Sequence, residues 1–227
     1  MAGSKSRLSE ILSDLEEFYG KADPPPEMDP YEMILFANCG YPASDDRCLK
    51  GFTALKHEIG LDPDAILATP DLKLAAIMGV GGMMPELRAT RLKEVADLVK
   101  SEFGGDLRTV LNLPVRDARK ALKRFPTIGD PGADKILLLT RTLPIAAVPS
   151  NCLHVPARLG FGEETKNYSA SYRSIQQGLG AELPEHFDAR IRAYSLLKQH
   201  GKELCKQARP FCERCPVSVE CRYFNSK

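Results

Sequence analysis

Hydrophobic residues recur at helical spacing along most of the chain. Near the start, Leu8, Ile11, Leu12 and Leu15 lie three or four positions apart, which predicts an amphipathic helix. Residues 31–39 form a mostly apolar run, which predicts a buried helix. No run of β-branched residues alternates with polar ones over more than a few positions, so the pattern predicts an all-α fold.

Proline and glycine mark where several of these helices begin and end. Asp62-Pro63, Thr69-Pro70 and Asp130-Pro131 each place a capping residue before proline, which suits the first helical position. Gly104-Gly105 and Gly201 are predicted stops, because glycine adopts the left-handed conformation that often ends a helix.

A polar, proline-rich segment at residues 21–30 separates the first helix from the rest of the chain. We expect one lobe over residues 30–141. We assign residues 1–29 and 142–227 to a second lobe, although the first helix alone has no feature that ties it to either.

The composition is that of an ordinary globular protein. The 227 residues are 43% hydrophobic and 27% charged, with a net charge of +1. This balance argues against a wholly basic nucleic-acid binder and leaves room for a local basic face. No apolar run approaches the ~18 residues of a membrane span, and we expect no membrane partner. The first residues lack a hydrophobic signal core, so we expect a cytoplasmic protein, associated with the nucleoid if it is bacterial.

Four of the seven cysteines lie in the last 23 residues, as Cys205-x6-Cys212-x2-Cys215-x5-Cys221. In a cytoplasmic protein such a cluster favours a metal centre over disulfides. Thiolates suit both zinc and iron–sulfur clusters, and the single close pair followed by Pro216 favours iron–sulfur without excluding zinc. The remaining cysteines are isolated and are expected to be small buried hydrophobes.

A second motif, Phe125-Pro126-Thr127-Ile128-Gly129, lies between two predicted helices at 115–124 and 131–141. Basic residues precede it, among them Arg116 and Lys120. Such a turn is either an ordinary corner between helices or a site whose backbone N–H groups bind a phosphate.

The cysteine spacing, within Leu196-Leu197-x2-His200-Gly201-x3-Cys205, resembles the iron–sulfur loop of the endonuclease III and MutY families. Both families belong to the helix-hairpin-helix superfamily of DNA glycosylases. The hairpin of that superfamily reads Leu-Pro-Gly-Val-Gly, and residues 125–129 of this chain resemble it. The resemblance covers about residues 28–224. It implies an all-α fold of two lobes, a helical barrel and a cluster lobe, that flank a DNA-binding cleft.

The same resemblance implies a cofactor, a partner and site residues. Double-stranded DNA with a damaged or flipped base would bind a monomer through the hairpin. A [4Fe–4S] cluster would be held by the four C-terminal cysteines. The implied DNA-binding residues are Phe125, Pro126, Thr127, Ile128 and Gly129, and the implied cluster ligands are Cys205, Cys212, Cys215 and Cys221.

The catalytic positions depart from the family pattern. Pro131 stands where bifunctional members carry a lysine nucleophile, and Pro149 stands where the family carries an aspartate. Proline supplies neither a nucleophile nor a general base, so lysine-dependent lyase chemistry is not expected. The catalytic residue is therefore unknown from the sequence. Candidate replacements are Asp134, Asp45 and Lys135, and Tyr41 is a candidate for stacking in the gap left by a flipped base.

Three functions remain open at this point. The first is a monofunctional DNA glycosylase of base-excision repair with an atypical active site. The second is a catalytically inactive lesion-recognition protein on the same scaffold, and the third is an iron–sulfur electron carrier. An enzyme releases a base, a recognition protein binds lesions without product, and a carrier undergoes reversible redox chemistry without DNA.

Overall fold

The computed structural model describes residues 6–22, 25–40 and 44–226. Within these ranges the chain is helical with short connections, and they contain no β-strand. The all-α prediction is confirmed. The α-helices of the described residues are α1 (Arg7–Tyr19), α2 (Pro30–Gly40), α3 (Asp45–Glu58), α4 (Pro63–Ala68), α5 (Asp71–Met78), α6 (Pro85–Phe103), α7 (Val115–Leu122), α8 (Asp130–Leu139), α9 (His154–Leu159), α10 (Tyr168–Glu182), α11 (Phe187–Glu203) and α12 (Arg222–Asn225).

The chain divides into two compact units. The central unit comprises Glu27–Ile136, and the terminal unit comprises Met1–Pro26 together with Leu137–Lys227. The four C-terminal cysteines therefore belong to the terminal unit, whereas the 125–129 turn belongs to the central unit.

The terminal unit is built on the apolar stripe of α1. Leu8, Ile11 and Leu15 are completely buried in a core that also contains residues of α9, α10 and α11. Arg192 on α11 donates 2.8 Å to the Glu16 carboxylate and 3.1 Å to the carbonyl of Leu12. Burial and these hydrogen bonds together fix α1 to the terminal unit.

The central unit packs α2 tightly against its neighbours. Ile34 and Leu35 are fully buried, as expected for an apolar helix with no polar face. A side chain at Gly51 on α3 would approach the carbonyl oxygen of Cys39 to 2.7 Å, so glycine permits this close packing. Cys39 and Cys48 are buried, as the sequence predicted for isolated cysteines.

The predicted helix boundaries are correct in part. The Asp62 side chain accepts hydrogen bonds from the first N–H groups of α4, and Gly104 ends α6 in the left-handed conformation. Asp130 is wrong as a cap, because α8 already begins at Asp130. Gly201 is wrong as a stop, because it lies inside α11, where a side chain would come within 2.6 Å of the Cys152 sulfur.

Among the described residues, no helix combines the length and the apolar character needed to cross a lipid bilayer.

Candidate nucleic-acid interface and cysteine site

The turn between α7 and α8 is anchored by two apolar side chains. Phe125 is 2% exposed and Ile128 is 8% exposed, and the ring of Phe125 lies 5.9 Å from that of Phe103. Gly129 at the end of the turn is exposed. Burial of the two anchors therefore leaves the end of the turn open to solvent.

Two backbone N–H groups of the turn have no hydrogen-bond partner within the described residues. They belong to Thr127 and Gly129. A side chain at Gly129 would meet only Pro131 Cδ, at 3.7 Å, and its φ angle is not left-handed. The fold itself therefore does not require glycine at position 129.

Thr127 occupies a backbone conformation that suits glycine. Its φ angle is +67°, in the left-handed region that a β-branched residue rarely adopts. Its hydroxyl oxygen is buried and has no hydrogen-bond partner within the described chain. The third residue of the turn is therefore a threonine in a conformation that glycine adopts more readily.

A buried ion pair joins the two helices that flank the turn. Asp134 on α8 is completely buried, and Arg119 on α7 donates from Nε to its Oδ1 at 2.5 Å and from Nη2 to the same oxygen. The Arg119 side chain is one-third exposed. The carboxylate of Asp134 is thus engaged in holding α7 against α8.

Asn38 connects α2 to the same turn. Its side-chain nitrogen donates 3.1 Å to the carbonyl of Pro126 and 2.9 Å to the carbonyl of Ile34. Asn38 is 1% exposed, and its Oδ1 has no partner among the described residues. Sequence reasoning missed this residue, although an asparagine inside an apolar helix is the signal that points to a buried hydrogen bond.

The basic residues before the turn fall into two groups. Lys123 pairs with Asp130 at 2.7 Å, and Arg124 pairs with Glu102. Arg116 and Lys120 are exposed, and neither has an acidic partner in the part of the chain that the structure describes. The two unpaired side chains are the ones available to phosphate.

The structure places the candidate catalytic residues in different surroundings. Pro131 lies in the first turn of α8, and Lys135, one turn further on, has its ammonium 5.8 Å from the centre of the Phe36 ring. Asp45 is exposed in the first turn of α3. Tyr41 lies outside the described residues.

The segment around Pro149 belongs to the terminal unit. Pro149 is buried, and its carbonyl accepts a hydrogen bond from the Cys152 N–H at 3.0 Å in a turn that leads into α9. Residues 144–154 contain no carboxylate. His154 forms a hydrogen bond with the Cys205 carbonyl at 2.7 Å, and burial lowers its pKa.

The four C-terminal cysteines line one cavity in the terminal unit. Its empty space is about 370 Å3, which includes open solvent, and it also borders His200 and Tyr223. All four thiols are free of disulfides. Burial raises the pKa of Cys215 to about 11 and also raises the pKa of Cys205.

Neighbouring side chains support the loop that carries these cysteines. Arg158 donates to the carbonyls of Lys206 and Gln207 at 2.8 and 2.7 Å, and its Nη1 lies 3.5 Å from the Cys205 sulfur. The guanidinium also stacks on the Tyr223 ring at 4.7 Å.

His200, which also borders the cavity, links α1 to Cys215. Its Nε2 lies 3.6 Å from the Cys215 sulfur, and its Nδ1 lies 2.9 Å from the Tyr19 hydroxyl. Burial lowers the pKa of His200 to about 4.

The four cysteines border one shared cavity. Within the described residues, no three His, Cys, Asp or Glu side chains converge closely enough to hold a single metal ion. The donor set is purely thiolate, which suits iron–sulfur chemistry.

The chain is similar in sequence to known DNA-repair proteins. No family model matches the chain. Endonuclease III of Sulfolobus acidocaldarius is 23% identical over 201 residues, which cover 86% of this chain and 82% of that protein. A thymine/uracil-DNA glycosylase of Methanothermobacter thermautotrophicus is 27% identical over 160 residues, covering 70% and 66% of the two chains.

Solved structures share the architecture over nearly the whole length. A trapped endonuclease III–DNA covalent intermediate has a TM-score of 0.76 at 18% identity, with 97% of this chain and 96% of that chain covered. The chain has the fold of the helix-hairpin-helix DNA glycosylase superfamily. A thermostable thymine-DNA glycosylase has a TM-score of 0.73 at 22% identity and covers 97% and 95% of the two chains. The 125–129 turn joins α7 to α8 and is called the hairpin below.

The ion pair between α7 and α8 yields a stability prediction. Asp134→Ala leaves Arg119 without its buried partner, and we expect it to lower the free energy of unfolding by about 3 kcal/mol. Asp130→Ala removes an exposed pair with Lys123 and should cost less than about 1 kcal/mol. Chemical denaturation of both variants measures the difference. Equal losses in the two variants would show that Asp134 does not hold the hairpin.

Proposed function

We propose that this protein is a DNA-repair glycosylase that acts without a lysine-dependent lyase step. The observation that carries the proposal is the hairpin, whose exposed end presents unpaired backbone N–H groups beside a glycine that the fold does not require. Backbone N–H groups at the start of a helix bind phosphate oxygens well, because the helix dipole favours negative charge there.

Sequence similarity gives the proposal its chemical class. The relatives named above are an endonuclease III and a thymine/uracil-DNA glycosylase, and the similarity extends over most of the chain. Basic side chains without acidic partners, Arg116 and Lys120, precede the hairpin and add sequence-independent attraction to DNA. A double-stranded substrate with one base extruded for excision fits this class of enzyme.

The residue at position 131 limits the reaction. A lyase step of the covalent kind needs an amine that attacks the sugar and forms a Schiff base, and Pro131 has none. Base removal would then use water as the nucleophile, with water attacking the sugar carbon as the bond to the base breaks. The product is an abasic site whose backbone stays intact until alkali cleaves it.

A second function is favoured by the two prolines taken together. With Pro131 and Pro149 the chain lacks both the amine and the carboxylate of the family pattern, while the hairpin geometry remains. A protein that recognises lesions without excising them would retain this combination.

A single-turnover assay separates the two functions. Duplexes containing uracil, thymine glycol, 8-oxoguanine, hypoxanthine or an alkylated purine are incubated with the protein and analysed with and without alkali. We expect alkali-dependent cleavage of at least one duplex, and no covalent adduct on borohydride treatment because position 131 is proline. Lesion-selective binding without cleavage of any duplex would favour recognition alone, and a borohydride-trapped adduct would contradict the absence of a lyase.

The hairpin makes a separate prediction about affinity. Gly129→Ala adds a methyl group with room inside the fold, at 3.7 Å from Pro131, but in the path of an approaching phosphate. We expect an unchanged melting temperature and about tenfold weaker DNA binding, equivalent to about 1.4 kcal/mol. The matched control is Gly180→Ala on α10, where a side chain also has room, at 3.9 Å from Ala146. Fluorescence anisotropy with a labelled duplex measures the DNA affinity of both variants. If Gly129→Ala bound DNA as tightly as Gly180→Ala, the hairpin would not be part of the DNA interface.

The proposal includes a [4Fe–4S] cluster held by Cys205, Cys212, Cys215 and Cys221. When bound, such a cluster provides a covalent cross-link within the loop and a one-electron redox centre. The chain's own part is to exclude water and orient the thiols. Arg158 fixes the loop backbone through its carbonyls, and His200 lies beside the Cys215 sulfur.

Iron content tests this assignment directly. Cys212→Ser removes one thiolate, and we expect purified protein to lose most of its iron and acid-labile sulfide and to melt at a lower temperature. Cys152→Ala removes a buried thiol that does not border the cavity, and its iron content should match that of the wild type. Wild-type protein purified without oxygen that contained zinc, or no metal, would overturn the cluster assignment.

A further inference from the structure

Arg47 and Arg88 of the central unit both approach Gly82, which is far along the chain from the hairpin at residues 125–129. A side chain built on Gly82 would lie 3.0 Å from Nη1 of Arg47 and 3.5 Å from both Nη1 and Nη2 of Arg88. Gly82 has a φ angle of +122°, which suits glycine, and the absence of a side chain lets both arginines approach its backbone. The two guanidinium groups therefore lie close together beside Gly82.

Arg88 is a buried cation without a carboxylate. It is 5% exposed, donates from Nη2 to the Gly40 carbonyl at 3.2 Å, and has an Nη1 without any hydrogen-bond partner in the described chain. An arginine remains charged at all physiological pH values, and a buried charge is costly unless it is paired. One carbonyl offsets only part of that cost.

Arg47 adds a second positive charge to the same place. It is exposed in the first turn of α3, and neither it nor Arg88 forms an ion pair with any described residue. Residues 41–43, Tyr-Pro-Ala, contain no acidic side chain. The two guanidinium groups repel one another, and an external anion bound between them would reverse that repulsion.

The chemistry of the pair selects a phosphate. Guanidinium groups match the geometry of phosphate oxygens and bind them through paired hydrogen bonds. The neighbouring side chains favour a phosphate that belongs to a nucleic acid over a free ion. Met83 and Met84 are 80% and 62% exposed, and such apolar side chains are suited to contact with bases and not to the capture of a small anion.

We infer that Arg47 and Arg88, beside Gly82, form a phosphate-binding site that contacts the DNA backbone at a point separate from the hairpin. Arg47 contacts the phosphate at the surface, and Arg88 supplies a fixed positive charge beneath it. This inference rests on the proposed function, because it assumes that the protein binds DNA.

The salt dependence of DNA binding tests the site. Each phosphate contact contributes about 0.9 to the slope of log affinity against log salt concentration. We expect Arg47→Gln to reduce that slope by about 1 and to weaken binding severalfold at low salt. The matched control is Arg108→Gln, an exposed arginine of the same unit whose charge is already paired with Asp106 at 2.8 Å. Its slope should equal that of the wild type.

The outcomes are distinct. A wild-type protein that does not bind DNA would refute the proposed function and this inference with it. If the wild type binds and Arg47→Gln keeps the wild-type slope, or if both variants change equally, the inference alone is wrong. Arg88→Lys keeps the buried positive charge, so we expect it to retain the wild-type slope, and a lower slope at an unchanged melting temperature would contradict the role of Arg88 as a fixed charge.

Inorganic phosphate distinguishes the two sources of the anion. At constant ionic strength, phosphate in place of chloride should raise the melting temperature of the wild type slightly, and less so for Arg47→Gln. Stabilisation by phosphate that depends on Arg47, together with an unchanged DNA slope, would assign the site to a free anion and overturn the DNA contact.

Discussion

The hairpin depends on a charge that the protein buries. Asp134 is inaccessible to solvent and pairs with Arg119, so this ion pair joins α8 to α7. A buried carboxylate is costly unless it is paired, and here the partner lies on the neighbouring helix. Apolar packing of Phe125 and Ile128 then sets the depth of the turn, and Asn38 fixes the Pro126 carbonyl. The exposed end at Gly129 is a consequence of these three constraints.

Helical periodicity was sufficient to predict much of this architecture. The α1 stripe, the buried α2 and the start of α4 at Asp62-Pro63 all follow from local rules, because spacing and capping act within a few residues. Gly201 shows the limit of such rules. Its neighbour Cys152 lies far away in sequence, so the reason for glycine there is a tertiary contact that no local pattern encodes.

The candidate site was predictable to the same extent. The spacing of the four cysteines predicted that they lie together, and in the structure they line one cavity. The motif at residues 125–129 predicted a turn between two helices, and the structure has a turn there. The supporting contacts were not predictable, since Arg158 reaches loop carbonyls nearly fifty positions away and Asn38 reaches Pro126 across 88 positions. Arg47 and Arg88 are also separated along the chain, and only the fold shows that both guanidinium groups approach Gly82.

Pro131 and Pro149 both fit the local backbone at their positions. Pro131 suits the first turn of α8, where the missing N–H has no helical partner to lose, and Pro149 accepts a turn hydrogen bond through its carbonyl. Each proline is therefore compatible with the backbone it occupies. Under the proposed function, the protein would bind DNA through the hairpin backbone without an amine at position 131 or a carboxylate at position 149, because neither proline disturbs the backbone on which that binding depends.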